Sequence, residues 1–244
     1  MKILVTNDDG INAEGLRYLV DFAKKLGDVI VVSPKFEQSA MSHALKIVEP
    51  FECIKVDKGF GVDTYSVDST PADCVRYAHY GLEEKIDVVL SGINRGYNLG
   101  EDIMYSGTCG ACVQASLSKI PSIAFSVKNK DYFHQIDKYA KKVLDYIFDN
   151  DLLDSSYFLN VNIPEGKSKG IKLTKVYGPI YETYYPILID SETNKYIIER
   201  KAINEINNED CDKVAINNGY ISLTVLSQNL FKDELYKKVE EKLV

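Results

Sequence analysis

Between Met1 and Pro34 the chain runs apolar block, polar turn, amphipathic stretch, apolar block, and that order leaves few folds open. Ile3-Leu4-Val5 is short, apolar and halted by Asn7-Asp8-Asp9-Gly10, the pattern of a buried strand entering a sharp turn. Leu16, Leu19, Val20, Ala23 and Leu26 then recur at helical spacing, and Gly27 supplies a stop. Val29 to Val32 is a second buried strand, closed by Ser33-Pro34. Strand, helix, strand at this spacing predicts a parallel pair joined by a right-handed crossover.

The alternation continues. Ser69-Thr70-Pro71 caps a helix running to about Tyr80, Ile86 to Leu90 reads as a strand ending at Ser91-Gly92, and a helix starts near Thr108. Ile123 to Val127 is a strand, Tyr132 to Phe148 has helical periodicity, and Phe158 to Ile163 is a strand stopped by Pro164. The predicted fold is α/β: a Rossmann-like three-layer sandwich around a mostly parallel sheet. Tyr181 to Ile189 and Tyr196 to Lys201 are rich in β-formers and predict a hairpin that cannot support itself. Tyr220 to Leu226 reads as a last strand, and an amphipathic helix follows from about Lys232. Residues 1–244 are expected to form a single domain, with a core over about 1–180, a protruding hairpin over about 181–201, and a closing strand and helix over about 215–244.

The net charge of -7 and the lack of a basic run exclude a nucleic-acid backbone as partner. No apolar stretch is long enough to cross a bilayer, and the acidic turn at Asn7 interrupts anything like a signal peptide. Five scattered cysteines do not make a disulfide framework, and Cys109 and Cys112 read as packing residues on a helix. A reduced, cytoplasmic protein without membrane contact is expected. There is no P-loop, no G-x-G-x-x-G and no nucleophile elbow.

In an open parallel sheet, ligands bind beyond the carboxyl ends of the strands. Asp8 and Asp9 fall there, Ser39 lies in the loop after the second strand, and Asn94 and Asn98 follow the strand ending at Ser91-Gly92. Two carboxylates, a hydroxyl and an amide form an all-oxygen set that suits a hard divalent cation. Taken alone, Asn7 to Gly10 serves equally well as a helix-capping turn. Tyr105-Ser106-Gly107-Thr108 leads into a helix whose free amides suit an anion, and it too would pass alone for an ordinary N-cap. A helix end carries about half a positive charge against nearly two negative charges on a phosphate monoester, so a cation is the expected partner of this loop.

Together these segments resemble the SurE family of nucleotidases. Residues 4–10 look like its opening signature, 91–100 like its S-G-I-N-x-G-x-N-x-G loop, and 105–108 like its Y-S-G-T element. Ser39 stands in a similar Q-S-x-x-S-H context, Thr70 to Val75 resembles T-P-A-D-C-V, and Asn160 to Pro164 and Gly219 to Ser222 also fit. The resemblance implies one Mg²⁺ or Mn²⁺ held by Asp8, Asp9, Ser39 and Asn94, with Asp8 and Asp9 catalytic. It implies phosphate-side roles for Asn98, Ser106, Gly107 and Thr108. The implied reaction is hydrolysis of nucleoside 5'- and 3'-monophosphates by a metal-activated water. Short-chain polyphosphatase or general phosphomonoesterase activity at the same site, or nucleotide binding without catalysis, are the alternatives. It further implies a homodimer or homotetramer that exchanges C-terminal segments. Ala40 replaces a usual glycine, Phe36 a common basic residue, Gln114 a frequent acid and Val225 a proline.

Overall fold

The computed structural model describes residues 1–203, 208–229, 236, 237 and 240, the side chains of 182–184 excepted. In chain order the elements are Lys2–Thr6 (β1), Glu14–Ala23 (α1), Asp28–Pro34 (β2), Cys53–Lys55 (β3), Asp63–Val67 (β4), Pro71–Arg76 (α2), Val88–Arg95 (β5) and Gly107–Leu117 (α3). Then follow Ser122–Val127 (β6), Ile136–Asp149 (α4), Phe158–Ile163 (β7), Ile171–Thr174 (β8), Tyr181–Asp190 (β9), Lys195–Ala202 (β10), Asp212–Asn217 (α5) and Ile221–Leu226 (β11).

Nine strands form one sheet in the order β3-β4-β2-β1-β5-β6-β7-β11-β8. From β4 to β7 every pairing is parallel, while β3 pairs antiparallel to β4 and β11 antiparallel to β7. The period of two in β1 explains the layers. Ile3 and Val5 join Leu16, Leu19, Phe125, Val143 and Ile147 on one face, packed by α1 and α4. Leu4, one residue out of phase, joins Ile30, Val75, Ala111 and Ala115 on the other, packed by α2 and α3. The expected mostly parallel α/β sandwich is therefore present.

Chain direction across the sheet reverses at β1. The chain moves from β1 to β2 on one side and later returns to β5 on the other. The switch point between β1 and β5 is where such sheets open a crevice. The strand expected to stop at Ser91-Gly92 instead continues to Arg95, through a register shift between Ser91 and Asn94. Gly92 permits this: its φ is +136° and a Cβ there would sit 2.4 Å from the Phe125 carbonyl oxygen. Asn94 therefore belongs to a strand and not to a free loop.

β9 and β10 make a separate antiparallel hairpin, as expected. Every residue of β10 is exposed, including Ile197 and Ile198. The helix expected from about Lys232 lies almost wholly outside the described residues. No described helix is long and apolar enough to cross a membrane.

Candidate metal and phosphate site

At the switch point a cleft of about 630 Å³ is lined on one side by Asp8, Ser39, Asn94, Asn98 and Ser106. The three sequence regions singled out above thus meet in space.

Asp8 lies in the turn just after β1 and is almost fully buried. Its carboxylate accepts two hydrogen bonds from the start of α3: the Thr108 amide at 3.0 Å and the Thr108 hydroxyl at 2.6 Å. Burial pushes its pKa up to about 6; the Thr108 hydroxyl pulls the other way, and the neighbouring Asp9 charge adds to the rise. Asp9 is also raised, first by burial, against the amide and charge of Arg95. The Arg95 amide donates to Asp9 at 3.2 Å. Two adjacent carboxylates, both made costly to ionise, form a place that a cation would relieve.

The remaining oxygen donors are oriented by local bonds. Asn94 turns its amide nitrogen to the Gly96 carbonyl at 2.8 Å, so Oδ1 is the atom it could offer a cation. Ser39 donates to Glu37 at 2.7 Å and keeps its oxygen lone pairs. Its loop is tied to the site twice: Gln38 donates its amide to the Asp8 carbonyl, and Ser42 donates its amide to the Tyr105 carbonyl. No three His, Cys, Asp or Glu side chains converge among the described residues. Any cation here would rest on two carboxylates plus neutral oxygens, a donor set that fits Mg²⁺ or Mn²⁺ and not zinc.

The residues expected on the phosphate side divide into two layers. Ser106 lines the cleft as the N-cap of α3, accepting from the Cys109 amide. Thr108 is fully buried behind Asp8 and spends both its donors on that carboxylate. Gly107 lies beneath Asp8 too, because a Cβ there would meet the Asp8 Cβ at 2.8 Å. Its role is therefore to make room for Asp8. Asn98 is fixed on all sides: its amide nitrogen donates to Ser126, its backbone N–H to Asn162, and its carbonyl accepts from Asn160 and Asn162.

Asn160 and Asn162 were legible as a motif, N-V-N-I-P, but nothing in the sequence said what they hold. Tyr97, Tyr105, Tyr181 and Arg200 also line the cleft and gave no signal at all. Cys109 and Cys112 are buried free thiols, with Cys109 pushed up to about 12 by burial, which fits packing and not redox chemistry.

The family model described as "Survival protein SurE" matches residues 3–183. A protein named 5'-nucleotidase SurE from Clostridium botulinum (strain ATCC 19397 / Type A) is 41% identical, covering 99% of this chain and 98% of that one. Its namesake from Clostridium beijerinckii (strain ATCC 51743 / NCIMB 8052) is 40% identical over 93% of this chain and 92% of its own. The crystal structure of the SurE protein from Aquifex aeolicus superposes with a TM-score of 0.85 at 35% identity, covering all of both chains. With family model, full-length relatives and fold in agreement, the chain belongs to the SurE family.

Proposed function

We propose that this protein is a divalent-metal-dependent phosphatase that hydrolyses nucleoside 5'-monophosphates, and 3'-monophosphates, to nucleoside and phosphate. The observation that carries the reading is that Asp8, Ser39 and Asn94 line one cleft with Ser106, the N-cap of α3, while Asp9 accepts the amide of Arg95, another residue of its lining. The relatives' name, 5'-nucleotidase, supports the substrate class.

One Mg²⁺ or Mn²⁺ held by these four residues would neutralise the ester and activate water as its nucleophile. The chain's own residues do the rest. Thr108 holds Asp8 ionised and in one rotamer despite its burial. The Ser106 hydroxyl and the Gly107 amide at the start of α3 orient the phosphoryl oxygens as charge redistributes, the Thr108 and Cys109 amides being engaged by Asp8 and Ser106. Asp9, its pKa raised by burial and its carboxylate fixed by the Arg95 amide, accepts the proton of the attacking water. The leaving ribose oxygen departs opposite that water. The exposed β9–β10 arm serves assembly, as a homodimer or homotetramer that exchanges C-terminal segments, and the protein works in the cytoplasm.

Phosphate release from AMP, GMP, glycerol phosphate and tripolyphosphate, measured with chelator and after Mn²⁺ or Mg²⁺ add-back, tests this. Expected is preferred turnover of the nucleotides, abolished by chelator, restored by metal, and reduced at least about 100-fold in Asp9→Asn. Preferred turnover of tripolyphosphate would move the substrate to the polyphosphatase alternative, and near-normal turnover by Asp9→Asn would remove Asp9 from the chemistry.

A further inference from the structure

The oxygen-lined half of the cleft accounts for a cation and a phosphate, yet the cleft is about 630 Å³, the size of a pocket for a whole small ligand. The same cleft is also lined by Asp102 and by residues different in kind, Tyr97, Tyr105, Tyr181, Ile198 and Arg200. The last three come from the hairpin arm, which otherwise stands clear of the sheet. The Arg200 guanidinium carbon lies 4.6 Å from the centre of the Tyr181 ring, a cation–π pair with two flat surfaces. A register shift between Arg200 and Ala202 marks a bulge at this point of β10, and bulges re-aim the side chains next to them.

The root of the arm is also pinned to the site. The Ile203 amide donates to the Ile180 carbonyl at 2.9 Å, closing the base of the hairpin. Lys213 reaches both the Ile180 and Ile203 carbonyls. Next to it, buried Asp212 accepts the Gly100 amide at 2.8 Å, and the Glu101 amide donates to Gly178 at 3.1 Å. Leu99, Ile180 and Ile216 pack as a small core at this junction, with Tyr97 and Tyr181 against it. Residues 97–106, which carry Asn98 and Ser106, are thus joined to the arm by backbone bonds and by packing. The exposed far end of the hairpin has no such ties among the described residues.

We infer that Tyr181 and Arg200 form the wall that holds the nucleoside half of the substrate, stacking on the base while the phosphate sits at Ser106. This rests on the nucleotidase reading for its natural ligand. The chemistry favours a base: it is planar, it pairs with aromatic and guanidinium faces whatever its pattern of polar groups, and Asp8, Ser39, Asn94, Asn98 and Ser106 offer it no face to stack on. The two residues are specificity determinants and take no part in bond breaking.

The test compares the full-length wild type with Tyr181→Ala, Tyr181→Phe and Arg200→Ala. AMP turnover is measured against glycerol phosphate, which has no base, and adenosine is titrated onto chelated protein by NMR. Removing one stacking partner should raise KM for AMP roughly tenfold with kcat little changed. Glycerol phosphate kcat/KM should stay within about twofold of wild type, adenosine binding should weaken, and Tyr181→Phe should behave as wild type. An unchanged KM for AMP, or a parallel loss with glycerol phosphate, would overturn the inference, because Arg200 would then serve the phosphate or merely the fold. The adenosine titration decides independently of turnover. If AMP is not hydrolysed, the preceding functional reading fails, but adenosine bound by wild type and lost in the Ala variants still supports the wall. Adenosine ignored by wild type defeats it.

Discussion

At the scale of single residues, the site turns on how Asp8 is held. Its carboxylate is buried and is held by the amide and hydroxyl of Thr108. Thr108→Val keeps the shape and removes the hydroxyl donor at 2.6 Å, so we expect a loss of about 1–3 kcal/mol in denaturant unfolding, together with lower activity. The raised pKa carries a second expectation. An ordinary aspartate titrates near 3.8 and Asp8 near 6. Below the lower value it is protonated whether the chain is folded or not. Between the two the unfolded chain gives up its proton while the folded one keeps it, so stability falls as pH rises, then levels off above about 6. The full loss is about 3 kcal/mol. Metal-free protein should therefore show this fall between pH 4 and 6 relative to Asp8→Asn, and added Mn²⁺ should reverse it. Ala40 has a φ of +61°. Ala40→Gly should relieve that left-handed conformation and stabilise the protein by up to about 1 kcal/mol in thermal unfolding.

At the scale of elements, the sequence spoke clearly wherever an apolar run met a stop signal. β1, β2, β6 and β7 are fully or nearly fully buried, and each shows as an unbroken or barely interrupted apolar run. β3 is three residues at the sheet edge, mostly exposed, and β4 is D-T-Y-S-V, so neither carries a burial pattern to read. α5 is too short for periodicity to register. Among the candidate site residues, Asp8 with its neighbour Asp9, Ser39 and Asn94 stood out because polar chemistry at strand ends is local, and Asp8, Ser39 and Asn94 do line one cleft. The layering of Thr108 and Gly107 behind Asp8 could not, since it depends on a contact a hundred residues long. β5 gave the clearest disagreement: its extension past Gly92 depends on the approach of β6, which no local pattern records. Gly92→Ala forces a Cβ against the Phe125 carbonyl at a φ that alanine rarely adopts, and we expect it to cost about 2–4 kcal/mol in equilibrium unfolding while displacing Asn94.

At the scale of the whole molecule, the sheet order sets where chemistry can happen. The reversal between β1 and β5 opens the crevice, and the loops after β1, β2 and β5 reach it from separated parts of the chain. The arm supplies the opposite wall from the far end of the sequence. A protein of net charge -7 repels a phosphate dianion at long range, so local positive charge at the cleft is a requirement of the electrostatics and not an ornament of it. The central claim is that one cation sits there on oxygen atoms from the loops after β1 and β2 and from the end of β5. Mn²⁺ titrated onto the chelated, full-length protein and followed by electron paramagnetic resonance tests it most directly. We predict saturable binding of one ion per chain, lost in Asp8→Asn and Asp9→Asn and weakened in Asn94→Ala, each variant being folded. A wild type that leaves all Mn²⁺ free in solution, or variants that bind it as well as wild type does, would contradict it.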